Sequence, residues 1–348
     1  MAESSRKRNN AAGTAKLADI ARQTGVSVAT VSKVLNGRTD VASKTRETVQ
    51  EALRQAGYTK RVATVRNRRM VEVVFQYFDS LWGFEIMQGV LAEAREHGLS
   101  VITTESGDRR HPDSAWLDEM LHRQPLGVIL MFANVTDAEK HKLERYRIPY
   151  VTIDPSGDPS PDTLSVLADN WTGGVLATRH LLSLGHTRIG VITGPDEMMC
   201  SKARFDGFAS ALSERGLTPD PDLVREGNFQ TSDGYRHGLS LLKDPRKRPT
   251  AIFAFSDLEA MGVYKAARQL RLRIPEDLSV IGFDDVSTSA FLGPALTTVR
   301  QPLQDMARAA TSMIIDRSNN KAVSNPLILP TTLMVRDSTC PPARRSDD

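Results

Sequence analysis

LADIARQTGVSVATVSKVLNG, residues Leu17–Gly37, sets two short helical patterns around a Gly-Val-Ser turn and leaves small residues on the outside of the second. Leu17, Ile20 and Ala21 have the i, i+3, i+4 spacing of one apolar helix face. Gly25 suits the left-handed residue that commonly ends a helix. Ser27 is placed to N-cap the next helix by accepting from a backbone N–H two or three residues on. Val31, Val34 and Leu35 form the inward stripe of that helix. Val28, Ala29, Ser32 and Lys33 are then left near its outward face at the beginning. A third helix is predicted from about Ser43 to Ala56, with Val49, Leu53 and Ala56 inward. A helix-turn-helix lays the start of its second helix in the DNA major groove, where short side chains permit close approach. Val28 and Ala29 suit thymine methyls, and Lys33 suits a guanine edge or a phosphate.

Charge supports the same reading. Residues 1–69 carry 15 Lys/Arg against 5 Asp/Glu, whereas the remaining 279 carry 30 against 37. A basic head on a mildly acidic body points to a polyanion met by the head alone. Residues 1–13 read as a disordered basic tail.

The head resembles the DNA-binding domain of the lactose-repressor/galactose-repressor family of bacterial transcription regulators. The stretch LADIARQTGVSVATVSKVLNG, followed by VASKTRETVQEALRQAGY, carries the likeness, which continues almost to the C-terminus. The resemblance implies that Val28, Ala29 and Lys33 read bases and that Thr30 and Ser32 lie near phosphates. Lys16, Ser27, Asn36, Arg61, Val62 and Ala63 complete the implied DNA-contacting set. One departure stands out: the family continues its tyrosine with Pro-Asn and a leucine-bearing hinge helix, but this chain has Tyr58-Thr59-Lys60-Arg61-Val62-Ala63-Thr64-Val65-Arg66. Valine and threonine weaken helix propensity. Two readings of 59–69 stand side by side: a hinge with Val62 or Val65 as a small minor-groove wedge, and a flexible basic linker.

From Val71 the chain alternates apolar strand-like runs with helical patterns. The runs are VEVVFQYF (71–78), LSVITTE (99–105), GVILMF (127–132), YVTID (150–154), RIGVIT (188–193), TAIFAF (250–255) and LSVIGF (278–283). Helices are expected near 84–97, 171–184, 203–215, 258–271 and 303–318. Continuous apolar strands each followed by a helix indicate parallel sheets covered on both faces. The fold class expected is a small all-α helix-turn-helix head plus an α/β body of two doubly wound lobes. The resemblance agrees, implying a periplasmic-binding-protein-like body crossed three times by the chain. The head is assigned to 14–58 and the body to 70–340. Lobe one takes 70–168 and 301–328, lobe two takes 171–297 and 331–340, and 341–348 is a tail.

In open α/β sheets a ligand binds outside the carboxyl ends of the strands. That rule nominates Asp79 to Trp82, Thr104 to Ser106, Asp154, Asp169 to Trp171, Met198 to Arg204, Ser256-Asp257, Asp284-Asp285 and Phe291. Carboxylates and an arginine fork hydroxyls while flat aromatics cover sugar C–H faces, a mixture that suits a saccharide. The candidate effector set is Asp79, Trp82, Asp154, Trp171, Cys200, Arg204, Ser256, Asp284 and Phe291. Family resemblance puts an effector-binding arginine at Arg204 and effector-binding aspartates at Asp284 and Asp154. Ser256 begins Ser-x-x-Glu and equally reads as the cap of a helix.

Several activities lack their sequence signals. There is no Gly-x-Gly-x-x-Gly after a strand, no P-loop, no His-Glu-x-x-His and no nucleophile elbow. Cys200 and Cys340 are far apart and lack metal-ligand spacing, so no cofactor or metal is expected, and a reduced cytoplasmic setting is the simple reading. No run of 18 apolar residues suggests a membrane span. The expectation is a cytoplasmic homodimeric repressor that binds double-stranded operator DNA and answers to a saccharide. The alternative is a sugar receptor or carbohydrate-acting enzyme with an incidental basic N-terminus, although an export signal for a receptor is not evident.

Overall fold

The computed structural model describes residues 17–35, 41–56, 69–78, 80–107, 115–132, 135–156 and 162–343. The chain divides into a head, residues 1–67, and a body, residues 68–348.

The head holds helix α1, described over 17–24, α2 (Val28–Leu35) and α3 (Ser43–Gln55). Gly25 has φ +70°, and the Val26 N–H returns to the Ala21 carbonyl, which closes α1. Ser27 Oγ accepts from the Thr30 N–H at 3.1 Å, the cap its position predicts. Ile20, Ala21, Val31, Val34, Val49, Ala52 and Leu53 close over one another as a small core. Ala56 is exposed rather than inward, and Ala52 takes its place. Helix α3 ends at Gln55, so Ala56 falls past the last inward turn.

Lobe one begins with β1 (Met70–Phe75), α4 (Leu81–Glu96), β2 (Ser100–Glu105), α5 (Ala115–Arg123) and β3 (Gly127–Met131). It continues with α6 (Asp137–Tyr146), β4 (Tyr150–Ile153) and β5 (Leu164–Ala168). Lobe two holds α7 (Asn170–Ser183), β6 (Ile189–Thr193), α8 (Met199–Ser213), β7 (Val224–Glu226), α9 (Thr231–Leu242), β8 (Ala251–Ala254), α10 (Asp257–Gln269), β9 (Ser279–Asp284) and β10 (Thr297–Arg300). The chain then returns to lobe one for α11 (Leu303–Ser318) and β11 (Leu327–Leu329), and ends in lobe two with β12 (Thr332–Met334). It therefore passes between lobes three times, at 169, at 301–302 and at 330–331.

The sheet orders are β11-β5-β4-β3-β1-β2 and β12-β10-β9-β8-β6-β7, parallel except for the antiparallel β12 on β10. Each sheet reverses its winding once, at β1/β3 in lobe one and at β6/β8 in lobe two. Helices cover both faces. In lobe one, α4 and α11 pack over Val73, Ile129 and Val151, while α5 and α6 cover Val74, Val128 and Leu130. In lobe two, α7 and α8 cover Val191, Phe253 and Phe283, while α9 and α10 cover Ile192, Ile252 and Val280. Burial of such side chains stabilises by roughly 1.5–3 kcal/mol each.

The strand runs read from sequence all appear, but their edges differ where the site lies. Strand β1 stops at Phe75, leaving Gln76 to Phe78 as a loop. Helix α8 starts at Met199, four residues before the expected 203. Its N-cap, Met198, makes no side-chain cap, so the usual Ser/Thr/Asp signal is missing. Strand β7 has three residues, too few for a periodic pattern. Helix α6 buries only Leu143 and is otherwise mostly charged, so it shows no wide apolar stripe. No helix among the described residues is long and apolar enough to cross a membrane.

Candidate functional site

Two places collect the nominated residues. In the head, Ser27, Val28 and Ala29 are exposed at the start of α2 and Lys33 in its last turn, on the side away from the core residues Val31 and Val34. Thr30 shares a 2.9 Å hydroxyl hydrogen bond with Ser27, so both hydroxyls help to fix the turn as well as to offer polar groups. Lys16, Asn36, Arg61, Val62, Ala63 and Val65 lie outside the described residues, as does Asp79.

In the body, a cavity of about 390 Å³ opens between the lobes. Its lobe-one wall follows β1 and β3, with Phe75, Gln76, Tyr77, Trp82 and Phe132. The lobe-two wall follows β6, β7, β8 and β9, with Met198, Cys200, Arg204, Phe229, Ser256 and Asp284 among its residues. The cavity thus lies where the two winding reversals face each other, the position the crevice rule assigns to a ligand. Its volume falls in the usual range for small-molecule sites, roughly 300–1,000 Å³.

Arg204 is 3% exposed and heavily constrained. Its Nε donates to Asn170 Oδ1 at 2.8 Å, Nη1 donates to the Phe255 carbonyl and lies 3.9 Å from Asp284 Oδ1, and its guanidinium sits 3.7 Å from the centre of the Phe283 ring. Nη2 has no hydrogen-bond partner among the described residues. Asp284 Oδ1 accepts from Gln301 Nε2 at 2.7 Å, which leaves Oδ2 without one among them. A donor and an acceptor therefore stand side by side on the cavity wall. Burial pushes the Asp284 carboxyl up from its ordinary range, while Arg204 pulls it back.

The remaining nominees divide. Trp82 borders the cavity and also packs into the lobe-one core, its ring 4.6 Å from that of Phe132. Cys200 lines the wall, and burial pushes its thiol up to about 12, which rules out a thiolate near neutral pH. Ser256 has both roles: it lines the cavity and its Oγ accepts from the Glu259 N–H at 3.1 Å, capping α10. Asp154 lies below the cavity rather than on its surface, facing Asn170 Nδ2 at 3.5 Å.

Trp171 and Phe291 are corrections. Neither lines the cavity; they are 47% and 87% exposed. Trp171 is in the first turn of α7, whose neighbour Asn170 points inward while the indole turns to solvent. Phe291 belongs to a single 3₁₀ turn beyond β9. Thr104 and Glu105 are not brought to the cavity either, since they hold Glu72 and the Phe78 N–H. Asp169 caps α7, Asp257 binds Ser289, Thr298 and the Val286 N–H, and Asp285 pairs with Arg300 and Arg336. These are structural roles.

Sequence reading missed the loop after β7, residues 227–230, because the strand before it is so short. It also could not see the backbone there. Phe132, Asp154, Phe229 and Asp284 all have positive φ, at 51°, 45°, 59° and 115°. Each follows or ends a strand at the crevice, where strained backbone often accompanies a binding site.

Asp154 permits a stability test. Burial raises its pKa from 3.8 to about 6 despite the attraction of Arg204, and its Oδ2 is buried without a partner among the described residues. Between those values the folded chain holds a proton that the unfolded chain has lost. Stability therefore falls as pH rises through this window and stays lower above it. Asn tolerates positive φ and removes the charge. Asp154→Asn is expected to gain about 1–3 kcal/mol over the parent at pH 8 and nothing at pH 4, read from paired urea melts. An equal difference at both values would refute the assignment.

Comparison with known proteins bears on both places. The sequence profile described as bacterial regulatory proteins, lacI family, matches residues 16–60, and that of the periplasmic binding protein-like domain matches 178–339. The chain is similar to the HTH-type transcriptional repressor PurR of Klebsiella pneumoniae, 32% identical over 313 residues, covering 88% of this chain and 91% of that one. PurR of Edwardsiella ictaluri is 33% identical over the same coverage. Among solved structures it resembles a transcriptional regulator CelR–cellobiose complex, 30% identical with TM-score 0.70 over 92% of this chain and 99% of that one. It also resembles the lac repressor dimer bound to operator and the anti-inducer ONPF, 26% identical with TM-score 0.69 over 92% and 98%.

Proposed function

Because this chain belongs to the LacI family of bacterial regulatory proteins, we propose that it is a repressor whose hold on operator DNA is set by a small sugar bound between its lobes. The relatives are DNA-binding repressors rather than enzymes, and the family assigns the same class here. Everything finer is our reading. The observation that carries the sugar is the paired donor and acceptor, Arg204 Nη2 and Asp284 Oδ2, set opposite the Trp82 and Phe132 rings. Adjacent hydroxyls of a pyranose match that pair, and its C–H face matches the rings. The CelR structure, solved with cellobiose, supports a disaccharide as the first candidate. A planar heteroaromatic base is the second reading, favoured by the same two rings, which could stack on it.

At the DNA, Val28, Ala29 and Lys33 would read base edges and Thr30, Ser32 and Ser27 would meet phosphates. Two heads of a homodimer would occupy half-sites of an approximately palindromic operator in the cytoplasm. Sugar binding would shift the angle between lobes and so change operator affinity.

The test is thermal melting of the full chain against cellobiose, other mono- and disaccharides, and purine bases. A specific ligand at a hundred times its dissociation constant adds about 2.7 kcal/mol of stability. We expect cellobiose or a close analogue to give that shift and to change the affinity for a DNA duplex selected on this protein. A shift given by a base and by no sugar would replace the first reading with the second.

A further inference from the structure

Three buried polar residues stand where the chain passes between lobes: Asn170, Gln301 and Thr331. At the first passage, Asn170 Oδ1 holds Arg204 Nε at 2.8 Å, and its Nδ2 faces the lobe-one residue Asp154 at 3.5 Å. At the second, Gln301 Nε2 holds Asp284 Oδ1 at 2.7 Å, and the Gln301 N–H reaches the Asp284 carbonyl at 3.2 Å. At the third, Thr331 Oγ1 donates to the Asp169 carbonyl at 3.0 Å, tying this passage to the first. The two cavity residues thus hang directly on two passages, and the third is latched to one of them. Neither Asn170 nor Gln301 lines the cavity.

The network is complete on the lobe-two side only. Asp154 Oδ2 and Gln301 Oε1 are buried without a hydrogen-bond partner among the described residues. A half-satisfied buried network is costly, so a second lobe arrangement that paired these acceptors would compete with this one. Such an arrangement would supply the two-state element that a coupling between cavity and lobe angle requires.

We propose that Asn170 and Gln301 are positioning residues that convert occupancy of the Arg204–Asp284 pair into a change of angle between the lobes. The proposal rests on reading that pair as the effector contact. A sugar hydroxyl donating to Asp284 Oδ2 draws the carboxylate toward the cavity and stretches the contact of its Oδ1 with Gln301 Nε2, and one accepting from Arg204 Nη2 draws the guanidinium away from Asn170. Each loosens a passage, so the sugar binds the two lobe arrangements unequally, which is what a shift of population demands.

The test uses the full chain, cellobiose (or the sugar of the panel that shifts the melt) and a duplex selected from a random-sequence pool on the parent. Cellobiose affinity comes from calorimetry and duplex affinity from anisotropy, with and without sugar. In the parent the sugar should change duplex affinity by about tenfold or more, within the roughly 5–150-fold usual for coupled sites. Gln301→Met should keep both separate affinities within about threefold of the parent while the change produced by sugar falls below about twofold, well short of that usual coupling. A merely structural role would move stability and leave that ratio alone. Gln301→Asn keeps the amide but shortens its reach, so it carries the same test if the methionine variant does not fold. A parent that responds while the folded variants respond equally overturns the proposal alone. A parent indifferent to every sugar overturns the reading of the cavity, and the proposal with it.

Discussion

Arg204→Ala is expected to weaken sugar binding about a hundredfold or more and to lower stability by about 3 kcal/mol at pH 8. The binding loss follows from removing the free Nη2 donor of a charge-assisted contact. The stability loss has several sources acting at one place. Arg204 fills the gap between Phe283 and Phe229, satisfies Asn170 Oδ1 and the Phe255 carbonyl, and is the cation nearest to Asp284. Removing one partner of a buried ion pair leaves the other without compensation, which typically costs about 3–5 kcal/mol. Here the low end applies, because the cavity lets water reach the site. The sign with pH is fixed by the carboxyls. Arg204 pulls both Asp154 and Asp284 downward, so its loss raises them further and makes their ionised forms costlier. The deficit should therefore shrink as pH falls toward 5, where both carboxyls take up protons. Calorimetry with cellobiose and urea melts at pH 5 and pH 8 would check this. An unchanged sugar affinity would remove Arg204 from the site.

Gly207→Ala should cost about 2–3 kcal/mol, although alanine is the better helix former by roughly 1 kcal/mol. Helices α7 and α8 approach through a reciprocal pair of glycines. A methyl at Gly207 would overlap the Trp171 carbonyl, and one at Gly174 would overlap the Arg204 carbonyl. Both obstacles are backbone, so no rotamer change relieves them; the helices must separate. Because α8 carries Cys200 and Arg204, separation also moves the cavity wall, and sugar affinity should fall together with the urea midpoint. A Gly207→Ala protein as stable as the parent would mean that the helices tolerate a wider spacing than this one.

The glycine pair also shows where sequence stops being informative. Gly174 and Gly207 lie 33 residues apart, and although the adjacent glycines Gly173 and Gly174 suit close helix packing, nothing in the sequence pairs Gly174 with Gly207. The same holds for the cavity. Arg204 and Asp284 were legible, since both come after runs read as strands, and the crevice rule with the family resemblance singled them out. Trp82 and Trp171 satisfied that rule equally well. Only the packed structure separates them, with Trp82 against Phe132 at the cavity and Trp171 turned to solvent on α7. Gln301 offered no signal at all, because a lone glutamine between a strand and a helix looks the same whether it faces water or a buried aspartate.

By itself, then, the sequence determined what depends on neighbours within about one helical turn or one strand. The three-helix head, its Gly25 and Ser27 punctuation and the apolar parallel strands all rest on hydrophobic period and capping, which are local. Tertiary structure alone decided which strand ends converge, which of the nominated side chains share a cavity and how the lobe passages are latched. Those contacts join residues from separate elements, such as Arg204 with Asn170 and Asp284 with Gln301, and they exist only because two sheets close against each other across three passages of the chain.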